Sequence, residues 1–217
     1  MAQDISPEKP QPTNGQTIKG LPLAAASRKP RESTWEFYRR AVVNGARGRV
    51  LEIGVGAWLN LTRYSPDIES LTGIEPNARS FKKARQRAQQ LGQAVDLRQG
   101  TVEALPFPDA SFDTVVATLV WCSVDDVPAG LREIRRVLKP GGALRFFDHV
   151  RSRSLWAARV QDIMTPLWRR LAGDCHPNRD TEQAIRAAGF EVVECWRLSS
   201  YGASLFPIVV GIALRRE

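Results

Sequence analysis

Arg49-Val50-Leu51-Glu52-Ile53-Gly54-Val55-Gly56 joins an apolar strand to a glycine turn, and its reading decides the fold. Such a run suits a buried parallel strand whose following backbone turns sharply and lies against a ligand, where a side chain would block the approach. A second apolar run, Leu71-Thr72-Gly73-Ile74-Glu75, ends in an acid about 20 residues further on, where a carboxylate can accept hydrogen bonds from two ribose hydroxyls. The pair reads as a nucleotide-type cofactor site, with Glu75 as its first functional residue. The third glycine of a dinucleotide fingerprint would stand at position 59 or 58, and the chain has Leu59 and Trp58 there. The glycines therefore leave the nucleotide open.

Outward from this stretch, apolar strands and amphipathic helices alternate as in a doubly wound α/β fold. Seven strands are expected, at 49–54, 70–75, 95–99, 113–119, 143–149, 190–197 and 207–214, with helices between them. The spacing of Phe81, Ala84, Ala88 and Leu91 predicts a helix from Asn77 to Leu91 with one face on the sheet and Asn77 as its N-cap. Val127, Leu131, Ile134 and Leu138 do the same for a helix that stops at Lys139-Pro140-Gly141-Gly142. That stop is architecture, and Lys139 is not given a catalytic role.

At 217 residues the chain suits one domain with a core of ordinary size. Hydrophobic residues at 43% and charged ones at 25% exclude a membrane-embedded or disordered chain. Residues 1–34 hold five of the fourteen prolines and no aromatic residue, so they are expected to form a disordered tail. The domain then covers 35–217, opening with a helix from Thr34 to Asn44 that flanks the cofactor edge or caps the sheet. The apolar stretch 21–27 is too short and lacks the basic leader of a secretory signal. Cys122, Cys175 and Cys195 have no metal-ligand spacing and are odd in number, so no metal and a reducing, cytoplasmic setting are expected. The net charge of +8 is scattered, without an aromatic platform for nucleic acid. A weak contact with an acidic membrane surface is the partner it favours.

Three further segments carry a resemblance. Gly100-Thr101-Val102-Glu103-Ala104-Leu105-Pro106-Phe107-Pro108-Asp109 before an apolar strand, then Leu138-Lys139-Pro140-Gly141-Gly142, resemble the class I S-adenosylmethionine-dependent methyltransferases. Thr118-Leu119-Val120-Trp121-Cys122-Ser123-Val124, Asp148-His149-Val150 and Cys175-His176-Pro177-Asn178-Arg179-Asp180-Thr181 are similar to the methyltransferase-like thiol methyltransferases of animals and their bacterial relatives. The resemblance implies a Rossmann-like sheet of seven strands and S-adenosyl-L-methionine as cofactor. It implies Glu52, Gly54 and Gly56 at the methionine end, Glu75 at the ribose, Thr101 and Val102 at the adenine, and Leu119 after the fourth strand. The chain departs from its relatives at Thr101, where they show an acid, and at Trp58, where they show glycine. Trp58 is expected to project into the mouth of the site or to cover the following helix.

The acceptor side is read from Leu155 to Leu171, whose apolar stripe is too broad for one sheet contact and whose Pro166 should break the helix before its last turn. Trp156, Met164 and Trp168 are the residues expected to face a small lipophilic substrate, with His176 and Arg179 from the family-like segment. Methyl transfer needs an acceptor held in line, water excluded and, for a weak acid, a proton removed. His149 and Asp148, at the end of the fifth strand, are the candidate catalytic residues. Cys122 is expected to pack rather than react. A thiol acceptor is favoured, ahead of a lipid amine or a quinone-type phenol. A non-catalytic regulatory domain on the same fold is the alternative.

Overall fold

The computed structural model describes residues 34–171, 175–198 and 205–216. The tail expected at 1–34 lies, but for Thr34, outside them. Along the chain come α1 (Thr34–Asn44), β1 (Arg49–Ile53), β2 (Ser70–Glu75), α2 (Ala78–Gln90), β3 (Asp96–Gln99), β4 (Phe112–Thr118), α3 (Val127–Val137), β5 (Leu138–His149), α4 (Leu155–Leu171), α5 (Thr181–Ala187), β6 (Phe190–Leu198) and β7 (Ile208–Arg215). The strands form one sheet in the order β3-β2-β1-β4-β5-β7-β6. β1 to β5 pair in parallel, and β7 runs antiparallel to both of its neighbours. This is the expected seven-stranded, Rossmann-like sheet, with its last strand reversed.

Period-two alternation sends the central strands' side chains to opposite faces, and both faces are covered. Leu51, Ile53, Val115, Ala117, Leu144 and Phe146 pack with Leu131, Ile134 and Val137 of α3 and Ile185 of α5. Val50, Val116, Phe147, Val210 and Ile212 pack on the other side with Tyr38, Ala41 and Val42 of α1 and Ala84 and Ala88 of α2. Helix α1 lies over β4, β5 and β7, so it caps the sheet. Buried Arg145 of β5 donates to the carbonyls of Val42 (2.6 Å) and Ala41 (3.2 Å) near its end, satisfying carbonyls that a helix terminus leaves open.

Four expectations are corrected. Residues 54–69 between β1 and β2 form a series of turns rather than a helix. Leu91 is exposed, because α2 ends at Gln90 and Leu91 is already its C-cap. The fifth strand begins at Leu138, which pairs with Phe112 across an irregularity that absorbs Lys139–Gly142 before Thr114 meets Ala143. Lys139 Nζ donates to Asp113 there at 2.7 Å, a structural ion pair. Pro166 lies inside α4 without breaking it. The buried face of α4 is narrow and made of Ala157, Ala158, Gln161 and Thr165, while Leu155, Trp156, Ile163 and Leu167 are exposed.

Candidate functional site

The strand order reverses between β1 and β4, and a crevice opens at the carboxyl ends of the strands on either side of such a switch point. Gly54 and Gly56 begin the turn there with φ of 60° and 56°, a region that favours glycine. A Cβ on Gly54 would meet Val120 Cγ2 at 2.8 Å, whereas one on Gly56 would meet nothing within 4 Å. The turn is therefore closed on its β4 side and borders open space beyond Gly56. Glu75 reaches it from β2. One carboxylate oxygen accepts the Gly56 N–H at 2.8 Å and the other the Asn77 N–H at 2.9 Å. A carboxylate offers about four acceptor positions, so this one retains capacity for two ribose hydroxyls. Thr101 is exposed just after Gly100, whose N–H bonds the Glu75 carbonyl, while Val102 is buried against α3 at Gly130. Leu119 follows the last residue of β4 at φ 59°, its N–H on the Phe147 carbonyl at 2.7 Å. Strain in a bulky residue at a strand end is a mark of functional turns.

Two of the residues assigned to the cofactor are instead internal fasteners. Trp58 is fully buried, its ring against Gly73 of β2, and its indole N–H donates to Glu52 at 2.8 Å. It does not project into the mouth of the site. Glu52 also accepts from Asn60 Nδ2 at 2.6 Å and from the Tyr64 hydroxyl at 2.7 Å. Burial pushes its carboxyl up, opposed by the bonds from Tyr64, Asn60 and Trp58. A carboxylate taken out of water must find such donors. Asn60 and Tyr64 escaped the sequence reading, since nothing periodic marks the turns that carry them.

Across the crevice, Asp148 is fully buried and its oxygens accept the N–H groups of Val120 (3.1 Å), Trp121 (2.5 Å) and His149 (2.8 Å). Burial raises its carboxyl to about 6. Buried and holding three backbone N–H groups, it positions the segment after β4 rather than acting on an acceptor. His176 and Arg179, expected to contact substrate, are fasteners too. The His176 N–H donates to the Cys122 carbonyl at 2.6 Å, and Arg179 donates to the carbonyls of Trp121 (2.8 Å) and Val124 (2.5 Å). These bonds seat the 175–179 segment on the loop after β4 and bring Cys175 beside His149, with Sγ to Nδ1 at 4.0 Å. A hydrogen bond from Cys122 and the neighbouring His149 hold the Cys175 thiol down at about 5, against the pull of burial. The same contact with Cys175, together with burial, pushes Cys122 up.

Arg179→Ala is expected to cost about 1.5–3 kcal/mol, the range for hydrogen bonds to a charged group, because two carbonyls of residues 121–124 lose their donor. Thermal melting checks this, with Arg179→Lys recovering part of the loss. A melting temperature equal to that of the unaltered chain would contradict the fastening role.

Met164 and Trp168 line an apolar cleft with Val160, Gln161, Pro177, Leu205 and Phe206. The Trp168 ring lies 4.7 Å from that of Phe206, whose other neighbour is His149 at 6.4 Å between centroids. The cleft thus adjoins the end of β5. The indole nitrogen of Trp168 is buried without a hydrogen-bond partner among the described residues. Trp156 is not in the cleft, being 63% exposed on the first turn of α4.

A mainly parallel sheet with a glycine turn at its switch point and an acid at the end of the next strand defines a nucleoside-cofactor protein of the α/β class. The Methyltransferase domain family matches residues 51–146. Thiol S-methyltransferase TMT1B of Mus musculus is 33% identical over 181 residues, covering 79% of this chain and 73% of that protein. Its Homo sapiens counterpart is 32% identical over 162 residues, 71% of this chain and 66% of the relative. The phosphatidylethanolamine N-methyltransferase of Cereibacter sphaeroides is 36% identical over 134 residues, 61% and 63% of the two chains. The crystal structure of YcgJ from Bacillus subtilis superposes with a TM-score of 0.66 at 22% identity, over 79% of this chain and 93% of that one, a likeness of fold. The chain belongs to the class I S-adenosylmethionine-dependent methyltransferases. It spans 59–66% of the length of the human and rat thiol methyltransferases it matches. The family's cofactor fits the residues present: Glu75 retains acceptors for the ribose, Gly56 leaves space beside them, and Thr101 lies at the adjoining strand end.

Proposed function

We propose that the chain transfers a methyl group from S-adenosylmethionine to a small lipophilic thiol. The observation that carries this reading is that the Gly54–Gly56 turn with Glu75 and an apolar cleft, whose Phe206 ring neighbours His149 at the end of β5, lie toward the same carboxyl-end side of the sheet. When bound, the cofactor supplies an electrophilic methyl on a sulfonium, so the protein has no covalent nucleophile to provide. Glu75 holds the ribose and the open backbone at Gly56 admits the cofactor. Met164, Trp168 and Phe206 exclude water from the acceptor, and His149 lies beside Phe206 at the end of β5. The names of the TMT1B relatives favour a thiol.

The exposed side of α4 supports the lipophilic half of the reading. Leu155, Trp156, Ile163 and Leu167 are open to solvent, with Arg159, Arg169 and Arg170 exposed on the same helix. Such a face suits an anionic lipid surface on which greasy acceptors are concentrated. Among the described residues no helix is long and apolar enough to cross a membrane.

A methyl-transfer screen over alkyl and aryl thiols, phenols and lipid amines tests the assignment. Turnover is expected with the thiols, and to rise with acceptor hydrophobicity. Methylation of lipid amines or phenols with none of any thiol would replace the acceptor while leaving the reaction class in place.

A further inference from the structure

Cys122, His149 and Cys175 come from three distant parts of the chain and meet at one point beside the crevice. Their ligand atoms, two sulfurs and an imidazole nitrogen, all lie within 4.8 Å of one another, and both cysteines are buried and free. A tetrahedral zinc ion with bonds of about 2.3 Å to sulfur and about 2.0–2.1 Å to nitrogen needs its ligand atoms roughly 3.6–3.8 Å apart. Cys175 Sγ and His149 Nδ1 are already at 4.0 Å. Movements of about 1 Å or less would therefore seat all three on one ion. Two thiolates and an imidazole are a donor set that suits zinc.

We propose that Cys122, His149 and Cys175 bind Zn²⁺ with its fourth position open, and that this position takes the acceptor thiol. The acceptor half of the proposal rests on the thiol reading above. A structural zinc site is closed by four protein ligands, whereas three ligands and an open position mark a site that works on a substrate. Among the described residues the cluster has three members. Asp148, the nearest acid in sequence, has its oxygens committed to backbone N–H groups. Two of the three ligands are held through their backbone segments. His176 bonds the Cys122 carbonyl through its N–H, Arg179 clamps the carbonyls on either side of Cys122, and Asp148 fixes the His149 N–H. The site also lies between the two halves that methyl transfer must join. Val120, two residues before Cys122, packs against Gly54 of the cofactor turn, and Phe206 beside His149 lines the apolar cleft.

The chemistry balances without another reactant. On binding the metal the acceptor thiol gives its proton to solvent and becomes a thiolate. A sulfur lone pair of that thiolate forms the new S–CH₃ bond as the sulfonium–CH₃ bond of the cofactor breaks, with its electrons left on the cofactor's sulfur. The product thioether has no charge to hold it on zinc and leaves.

The test uses the whole chain, purified under reducing conditions without an affinity tag that binds metal. Metal analysis is expected to find one zinc per chain. Replacement by Co²⁺ is expected to give the visible bands of a tetrahedral ion and a thiolate-to-cobalt charge-transfer band, which strengthens when an alkyl or aryl thiol is added. Cys175→Ser and Cys122→Ser should each weaken Zn²⁺ binding by about 100-fold or more, while S-adenosylhomocysteine binding, followed by titration calorimetry, shows that both variants are folded. The rate of thiol methylation should reach its plateau well below the ordinary thiol pKa of about 8.5, and chelation should move that plateau upward. A cobalt spectrum without charge transfer, or pairing of Cys122 with Cys175 in a disulfide while Zn²⁺ is present, would overturn the metal site. A cobalt spectrum indifferent to added thiol, or thiol turnover untouched by chelation, would overturn the acceptor role and leave the thiol reading standing. Stoichiometric metal with no thiol methylated would do the reverse: the site would stand, and both the acceptor role and the thiol reading would fall.

Discussion

Glu75→Ala is expected to weaken S-adenosylhomocysteine binding by at least about tenfold, and by more if both ribose hydroxyls are held. Hydrogen bonds to a charged group are worth about 1.5–3 kcal/mol each, and Glu75 has two acceptor positions free after bonding the N–H groups of Gly56 and Asn77. The substitution also frees those two N–H groups, so the glycine turn loses the contact that ties it to the end of β2. Glu75→Gln separates the effects. Its amide oxygen still accepts one backbone N–H but carries no charge, and its affinity should fall between those of the unaltered chain and the alanine variant. Titration calorimetry reads all three, with thermal melting as a check on folding. A dissociation constant unchanged in Glu75→Ala would remove this residue from the cofactor site.

Trp58→Gly is expected to destabilise the chain rather than improve its cofactor affinity. The indole is wholly buried, and emptying such a site costs about 3–5 kcal/mol. The gain on the other side is relief of a φ of 53°, a strain of about 1–3 kcal/mol that glycine does not feel. Packing wins. Glu52 also loses its 2.8 Å donor in a place where water cannot replace it. A net loss of about 2 kcal/mol or more should lower the melting temperature by about 4 °C or more in a chain of this size. Trp58→Phe, which keeps most of the volume but not the N–H, should lose less. An unchanged melting temperature in Trp58→Gly, with tighter cofactor binding, would show instead that the ring obstructs the site.

The strand ends and the glycine turn at the switch point were largely legible because their information is local. A strand ending in glycine, a second strand ending in an acid and an asparagine at a helix start each express a rule that spans only a few residues. Gly54, Gly56, Glu75 and Asn77 therefore stand where the sequence implied, and the strand order follows once connections are short and right-handed. The same locality explains the errors. Period and composition measure how apolar α4 is, but not that its buried side would be Ala157, Ala158, Gln161 and Thr165. Nor do they measure how closely an acidic side chain at Glu52 would be enclosed by Trp58, Asn60 and Tyr64, since the intervening turns carry no period.

By itself, then, the sequence determined the α/β class, the glycine turn after β1 and the acid at the end of β2, because backbone conformation and hydrophobic burial act through near neighbours. The tertiary structure alone decided which polar side chains would work inward and which would converge. Arg179 and His176 could have faced a substrate until the 175–179 segment was seen on the carbonyls after β4. Cys122, His149 and Cys175 have no spacing that marks a site. Their sulfurs and imidazole meet because two adjacent parallel strands end side by side and a later loop is bonded onto one of those ends, a proximity that exists only once the sheet has assembled.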